Sequence, residues 1–371
     1  MRFIPVDYLA GTETLAVNII NANMQILVRK GAILTTAIVR RIKQYGIHSV
    51  YIEDTQMSHF LVHDIKATIK PEIRNRSIYN IRNAFQRFED KIKQQKKTLR
   101  YGESGELLFK EVKSVSDELI QEIMISKDHS VTMNDIKSIS NYHFEHAVNV
   151  TVLSLIIAAE MGLSSKELEA LTFGSLLLDV GCRWVEEGIL FKEDKLNDLE
   201  IIEVQKHVRH GYDYIKNNTI FDAHVKSILM HHHERMNGSG YPKKLTNKDI
   251  HPLAKIIMIA DVYDALTSDR PYRKAYNQHE AIEYIMGNAG SLFDFKLANI
   301  FARKIVPYPV GSYVLLSNNQ KGVVVENNPD YPLRPIIRTF GLSSYTNNNS
   351  VQLNLLDCTN VVIEKIIYTL H

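Results

Sequence analysis

The sequence has little cysteine and little tryptophan, two and one respectively among 371 residues. Two cysteines, Cys182 and Cys358, make no disulfide framework, so we expect a reducing, cytoplasmic environment. No charge of one sign dominates: 44 Lys and Arg face 42 Asp and Glu, which argues against a surface built to hold a nucleic-acid polymer. No apolar run reaches the roughly 20 residues of a membrane span, and the first residues lack a signal-peptide pattern, so no membrane partner is expected.

What is present is the composition of a folded chain of two or three domains, 45% hydrophobic and 23% charged. Strand-like runs around one helix predict a small α/β module over residues 1–65. A helical linker follows over 66–134, and apolar residues at steps of three and four predict an all-helical domain over 135–307. Short β-rich runs between Asn, Pro and Gly predict a small antiparallel β module over 308–371. The predicted fold class is mainly α, with these modules on either side.

In the linker, large apolar residues recur at heptad spacing along one predicted helix: Ile78, Ile81, Phe85, Phe88 and Ile92. Residues 71–100 carry nine Lys and Arg against three Asp and Glu. The stripe requires a partner, either the next domain of the same chain or the same helix of a second copy. Both hypotheses stay open, and the second predicts a homodimer. Gly102 and Gly105 are expected to end the helix, with another beginning near Glu106.

Two strings carry the chemistry: HHHERMNGSGYP over residues 231–242 and IADVYDALTSDRPYR over residues 259–273. Adjacent histidines on a helix point about 100° apart. His232 and His233 would therefore reach different metal ions, or clamp one site at a helix end. His146, Asp179 and His207 offer further ligands on predicted helices. Imidazole and carboxylate donors without a thiolate array suit iron, manganese or zinc in a hydrolytic site.

These strings resemble the signatures of the HD-GYP family, a branch of the HD superfamily of metal-dependent phosphohydrolases. Typical members hydrolyse cyclic di-GMP at a di- or trinuclear iron or manganese site in an all-helical domain. The resemblance covers residues 135–307. It implies one or two divalent ions, iron or manganese, with zinc or nickel as substitutes. It also implies cyclic di-GMP or a related dinucleotide as ligand, and diguanylate-cyclase domains as a further class of partner.

The resemblance assigns roles residue by residue. It implies six metal ligands, of which Asp179 bridges ions and is catalytic: His146, Asp179, His207, His232, His233 and Asp261. It places the dinucleotide phosphates against Arg270 and Arg273, whose planar guanidinium groups suit phosphodiester oxygens. The loop that names the family corresponds to Gly240, Tyr241 and Pro242.

The chain departs from the family pattern at the dyad itself. The dyad histidine is Leu178, and the lysine expected to face the scissile phosphate is Cys182. The loop aspartate is Asn237, and Tyr142 stands where some members carry a glutamate for a third metal ion. The loss of an imidazole and of a positive charge predicts weak or lost hydrolysis.

The extra Cys and His residues near these positions have two interpretations. Cys182 falls one α-helical turn after Leu178, so its thiolate is a candidate substitute ligand. The alternative is a small residue packed beside Trp184 and Val185. The other histidines near the motifs are interpreted as structural, outer or surface residues: His143, His210, His224 and His231.

Three functions are consistent with these residues. The first is an active cyclic di-GMP phosphodiesterase with a modified di-metal site. The second is a receptor-like domain that binds metal and a cyclic dinucleotide with little or no turnover. The third is a scaffold that uses the Gly-Tyr-Pro loop for protein contacts. The missing His and Lys favour the second function over the first, and the retained ligands favour both over the third.

Overall fold

The structure is a computed structural model that describes residues 2–21, 24–45, 47, 49–53, 68–94, 101–125, 142–192, 194–216, 221–268, 275–340 and 351–368. The chain forms two compact units. The first takes its described residues from the two ends of the chain, up to Thr68 and from Arg303 onward. The second extends from Ile69 to Ala302. The four-part division expected from the sequence stays a prediction.

The N-terminal part of the first unit is a small α/β module. Strand β1 (Arg2–Pro5) pairs antiparallel with β4 (Ser49–Ile52), and β2 (Ile19–Ile20) pairs with β3 (Ile26–Val28). A 3₁₀ turn covers Val6–Tyr8, and helix α1 (Thr36–Gln44) begins at Thr35, whose side chain caps it. Apolar side chains from every element fill one core, including Ile4, Leu15, Ile19, Leu34 and Ile42.

The C-terminal part of the first unit is a five-stranded antiparallel sheet of order β8-β7-β6-β5-β9. Its strands are β5 (Tyr313–Leu316), β6 (Lys321–Glu326), β7 (Ile336–Thr339), β8 (Gln352–Asn354) and β9 (Ile363–Ile366). The sheet core contains Val314, Val324 and Ile337, which are fully buried. The two ends of the chain meet here, because Arg2 donates a hydrogen bond to the Tyr368 carbonyl and the Tyr8 ring packs on that of Tyr368.

The second unit is helical throughout its described residues. Its helices are α2 (Pro71–Gln94), α3 (Tyr101–Ile125), α4 (Tyr142–Met161), α5 (Ser165–Leu176), α6 (Glu187–Leu190), α7 (Asp198–Gln205), α8 (His207–Lys216), α9 (Ala223–His231), α10 (Pro252–Thr267), α11 (Gln278–Gly287) and α12 (Phe295–Lys304). A 3₁₀ helix, Val180–Trp184, follows α5. Helix α4 is central and packs on α2, α3, α5 and α10. The predicted fold class, mainly α with small α/β and β modules, is confirmed.

The apolar stripe of α2 packs inside the second unit as far as the structure describes it. Ile78, Ile81 and Phe85 are buried, and the Phe85 ring meets Phe144 of α4 at 5.8 Å between centroids. The side chains of Phe88 and Ile92 lie outside the described residues. The buried part of the stripe therefore supports packing within the chain and gives no support to a homodimer seam. The expected helix break at Gly102 and Gly105 is wrong, because α3 begins at Tyr101 and continues through both glycines.

One helix among the described residues, His143–Met161, is long and apolar enough to cross a membrane. Of its most apolar stretch, 78% is buried inside the protein. Every residue of Ala147–Ile157 is buried. The apolar composition of this helix is therefore that of a helix in the protein core.

Candidate metal centre

Two glycines bring the 3₁₀ helix against the start of α8. A Cβ built on Gly181 would lie 1.8 Å from the His207 carbonyl oxygen. A Cβ built on Gly211 would lie 3.3 Å from the Gly181 backbone nitrogen. Only glycine permits this approach of two backbones. Asp179, the residue before the 3₁₀ helix, is thereby set beside His207, with 3.6 Å between Asp179 Oδ1 and His207 Nε2.

Four side chains converge at this crossing. Asp179, His207, His232 and His233 each offer one donor atom, and these atoms all lie within 4.8 Å of one another. His207 Nδ1 donates to the Val204 carbonyl at 2.7 Å, and His232 Nδ1 donates to the Leu229 carbonyl at 2.9 Å. These bonds fix each tautomer and leave Nε2 with its lone pair facing the cluster.

Both Nε2 atoms are buried, and neither has a hydrogen-bond partner. A buried polar atom without a partner is costly, and coordination of a metal ion would satisfy the lone pair of each nitrogen. His207 is 2% exposed and His232 is fully buried, so neither ring is open to bulk water. These four residues, which we call the imidazole cluster, therefore fit a divalent metal ion.

The neighbouring pair His232 and His233 belongs to one cluster because helix α9 ends just before it. The helix ends at His231, His232 is its C-cap, and His233 lies in the following turn. One donor atom from each histidine of the pair lies in the same cluster, and whether the two serve one ion or two stays a prediction.

His146 and Asp261 join the cluster from α4 and α10. His146 Nε2 lies 3.1 Å from Asp261 Oδ1, and Asp261 Oδ2 lies 3.4 Å from His233 Nδ1. Behind them, His146 Nδ1 donates to Asp264 Oδ2 at 2.7 Å. Asn149 donates to the same carboxylate at 2.9 Å and accepts from Arg74 at 3.0 Å. This buried chain orients His146, as a carboxylate behind a ligand imidazole commonly does.

The electrostatics keep the donors in the form that a metal ion requires. Burial, followed by repulsion from His233, lowers the pKa of His207 to about 4. Burial lowers the pKa of His232 well below its ordinary value. Burial alone would raise the pKa of Asp179, but the neighbouring imidazoles of His143, 3.8 Å away, and of His207 hold it well below its usual range. His207 and His232 are therefore neutral and Asp179 is ionised at neutral pH.

A second set of donors shares Asp179, and the sequence did not indicate it as a set. His143, Asp179 and Cys182 also place their donor atoms within 4.8 Å of one another, and we call them the thiol group. His143, interpreted from the sequence as structural, has Nδ1 3.8 Å from Asp179 Oδ2. The available signal was its position three residues before His146, on the same face of α4.

The positions that depart from the family pattern lie directly at the site. Leu178 is 1% exposed and carries no donor atom. Cys182 is buried, and its thiol donates to Asp179 Oδ1 at 3.8 Å. Burial and the adjacent Asp179 charge raise the pKa of this thiol well above its ordinary value. The α-helical spacing from Leu178 is not the relevant one, since the segment is 3₁₀ and pairs Cys182 with Asp179.

The Gly-Tyr-Pro loop folds back over the cluster. A Cβ on Gly240 would lie 2.4 Å from the Glu234 Cα and the Arg235 nitrogen, so the loop requires glycine there. The buried Glu234 carboxylate accepts from the backbone nitrogens of Lys243 and Leu245 and closes the loop. The Tyr241 ring stacks on His233 at 4.8 Å, and the Tyr241–Pro242 peptide is cis.

Several other predicted residues have no role at the centre in this structure or cannot be placed. Arg270 and Arg273 lie outside the described residues, as does the side chain of Tyr142. His231 Nδ1 accepts from the His251 nitrogen, and the His224 ring meets His251, so both serve the start of α10. Asn237 closes a turn by accepting from Ser239.

Comparison with known protein families identifies the class. Residues 119–297 match the family model described as an HD domain, and residues 313–369 match one described as a KOW domain associated with HD domain. An HDG"Y"P protein from Bdellovibrio bacteriovorus has a similar fold, with a TM-score of 0.51 and 21% identity over 81% of this chain and 98% of that chain. The chain therefore contains a segment, residues 119–297, that matches an HD domain.

Its relatives narrow the class. It is similar to a cyclic di-GMP phosphodiesterase of Pseudomonas aeruginosa (33% identity over 60% of this chain and 54% of the relative). It is also similar to cyclic di-GMP phosphodiesterase PdeB of Borreliella burgdorferi, with 28% identity over 62% of this chain and 60% of the relative. A further relative is 3'3'-cGAMP-specific phosphodiesterase 1 of Vibrio cholerae, with 33% identity over 44% of this chain and 38% of the relative. The matches span about half the length of these relatives. The His-His-Glu and Gly-Tyr-Pro strings of this chain fall within the part that matches the HD domain model.

Proposed function

We propose that the chain binds a divalent metal ion and a cyclic dinucleotide in its HD domain, and hydrolyses that dinucleotide slowly or not at all. The relatives named as cyclic di-GMP and 3'3'-cGAMP phosphodiesterases support the ligand class. The proposal of slow or absent hydrolysis rests on the residues that replace the family's dyad histidine and the following lysine.

The observation that carries the metal proposal is the pair of buried Nε2 atoms of His207 and His232. Their tautomers are fixed by backbone carbonyls, and ionised Asp179 lies within reach of both. Neutral imidazoles with carboxylates suit iron or manganese, and zinc or nickel would also be accepted. A divalent ion in such a site polarises a phosphoryl oxygen and activates water for attack.

The protein's own residues supply the rest of the arrangement. His146, held by Asp264, orients Asp261 beside His233. Burial raises the pKa of Tyr241, so its phenol remains a neutral hydrogen-bond donor at the edge of the centre. Arg270 and Arg273 are proposed to bind the phosphates, on the resemblance alone.

Slow hydrolysis follows from two neighbouring positions. Leu178 provides hydrocarbon where the family has an imidazole ligand. Cys182 provides a neutral thiol where the family has a lysine facing the scissile phosphate. One lost electrostatic partner commonly costs about 10²–10³ in rate, because charge that develops in the transition state is left without compensation.

The test is nucleotide binding and turnover measured on one preparation. Manganese-loaded wild type should bind cyclic di-GMP in titration calorimetry and yield little linear product by chromatography. His232→Ala should lose both metal and nucleotide, whereas His210→Ala, outside the cluster, should keep both. Wild type that holds metal but binds neither cyclic di-GMP nor 3'3'-cGAMP would contradict the proposal.

A further inference from the structure

The three side chains of the thiol group are all of types that bind metal ions, and His143 and Cys182 are not residues of the family dyad. The His143 imidazole lies on α4, the Asp179 carboxylate lies just before the 3₁₀ helix, and the Cys182 sulfur lies within that helix. We propose that His143, Asp179 and Cys182 bind a second divalent ion, which shares Asp179 with the imidazole cluster. The proposal deepens the proposed function, on which it rests.

Local backbone geometry places each of the three donors. In a 3₁₀ helix, side chains three residues apart lie one above the other. Cys182 N donates to the Asp179 carbonyl at 3.0 Å, and the Cys182 thiol donates to Asp179 Oδ1 at 3.8 Å. On α4, His143 precedes His146 by three residues, so both imidazoles face the same side. Helix α4 thus supplies His143 to the thiol group and places His146 against Asp261, which lies beside His233.

The distances fit a shared ion. With metal–nitrogen and metal–oxygen bonds of about 2.0–2.2 Å and a metal–sulfur bond of about 2.3 Å, adjacent tetrahedral ligands stand about 3.4–3.6 Å apart. Asp179 Oδ2 to His143 Nδ1 and Asp179 Oδ1 to Cys182 Sγ are both 3.8 Å. The two carboxylate oxygens therefore point to different partners, with Oδ1 also facing His207.

The choice of ion follows from the sulfur. Thiolate is a softer donor than imidazole or carboxylate and favours zinc, iron or cobalt over manganese. A bound ion deprotonates a coordinating thiol, which in the metal-free protein donates to Asp179 instead. A thiolate ligand also transfers negative charge to the ion and weakens it as a Lewis acid, in keeping with slow hydrolysis.

Cobalt provides a readout independent of turnover. Metal-free protein titrated anaerobically with Co²⁺ should take up two ions per chain and develop a thiolate-to-cobalt charge-transfer band. Cys182→Ser and His143→Gln should each lower the stoichiometry to one ion, and Cys182→Ser should abolish the band. Cys358→Ser, which removes the other free cysteine, should leave both unchanged.

The outcomes separate this proposal from the proposed function. One cobalt ion in wild type with no charge-transfer band means that Cys182 only donates to Asp179, and overturns the thiol-group proposal alone. A band that persists in Cys182→Ser also overturns it. No bound cobalt in folded wild type would instead overturn the metal site of the imidazole cluster. Circular dichroism of each variant confirms that the helical unit is folded.

Discussion

The imidazole cluster and the thiol group lie on either side of Asp179 and are built differently. In the cluster, two imidazoles are almost completely buried and fixed by backbone carbonyls. In the thiol group, His143 is 31% exposed and Cys182 stands where the family has a lysine. Under the proposed function, the imidazole cluster would hold the metal ion and the changed residues of the thiol group would account for slow hydrolysis.

The largest expected effect concerns the support of α4, which carries His143 and His146. Phe85 is buried against Phe144 in the first turn of α4, and Arg183 lies over both rings. Phe85→Ala should lower the free energy of unfolding by about 3–5 kcal/mol, because it leaves a cavity. Denaturant titration measures this loss. A change of less than about 1 kcal/mol, or a change from dimer to monomer in light scattering, would place the stripe at an interface instead.

The next effect is the pH dependence of stability in chelator-treated protein, which should differ between the imidazole cluster and the thiol group. The unfolded chain protonates His207 near pH 6.5 and the folded chain only near pH 4, so stability is complete above 6.5 and falls as pH drops toward 4. This lowering of the pKa amounts to roughly 3 kcal/mol at most. His207→Gln should flatten this slope in denaturant titrations at several pH values.

The thiol group should respond in the opposite direction. Burial and the Asp179 charge raise the pKa of Cys182, so the folded chain keeps a proton that the unfolded chain loses near pH 9.0. Stability should therefore fall as pH rises above 9, and Cys182→Ser should remove this contribution. An equal decline in both proteins above pH 9 would show that the thiol does not contribute.

The smallest effect sharpens the role of the residues behind the cluster. Asp264→Asn keeps the shape but weakens the bond that orients His146. Metal affinity should fall by roughly 10–100-fold, measured by competition with a chelator of known strength. Asp213→Asn, on an exposed ion pair of α8, is the matched control and should leave affinity unchanged. Equal affinities in both variants would show that Asp264 does not position the ligand.

The fold was predictable where short-range pattern decides structure. Short β-rich runs indicated β5 and β7 within a residue or two, and turn residues separated the strands of the sheet. Strand β1 was missed, because its Arg2–Pro5 run is short and becomes a strand only by pairing with β4. Gly102 and Gly105 did not end a helix, since packing of α3 on α2 and α5 outweighs their low propensity.

The site was predictable to the extent that residue types in a familiar spacing carried it. His207, His232 and His233 were named from the motifs, and the structure brings them together with Asp179. The sequence did not reveal that α9 ends at His231, nor that a 3₁₀ helix aligns Cys182 with Asp179. Both depend on where a helix stops, and that is set by tertiary contacts such as the close approach at Gly181.

The most direct test of the central claim is a single-turnover assay with metal-loaded protein in excess over cyclic di-GMP. Wild type should bind the nucleotide and convert it slowly. Leu178→His with Cys182→Lys should convert it about 10²–10³-fold faster, because the pair restores an imidazole ligand and a positive charge beside the phosphate. Neither change alone should suffice, since residues that act as a unit are not additive. A folded, metal-loaded double variant no faster than wild type would contradict the account.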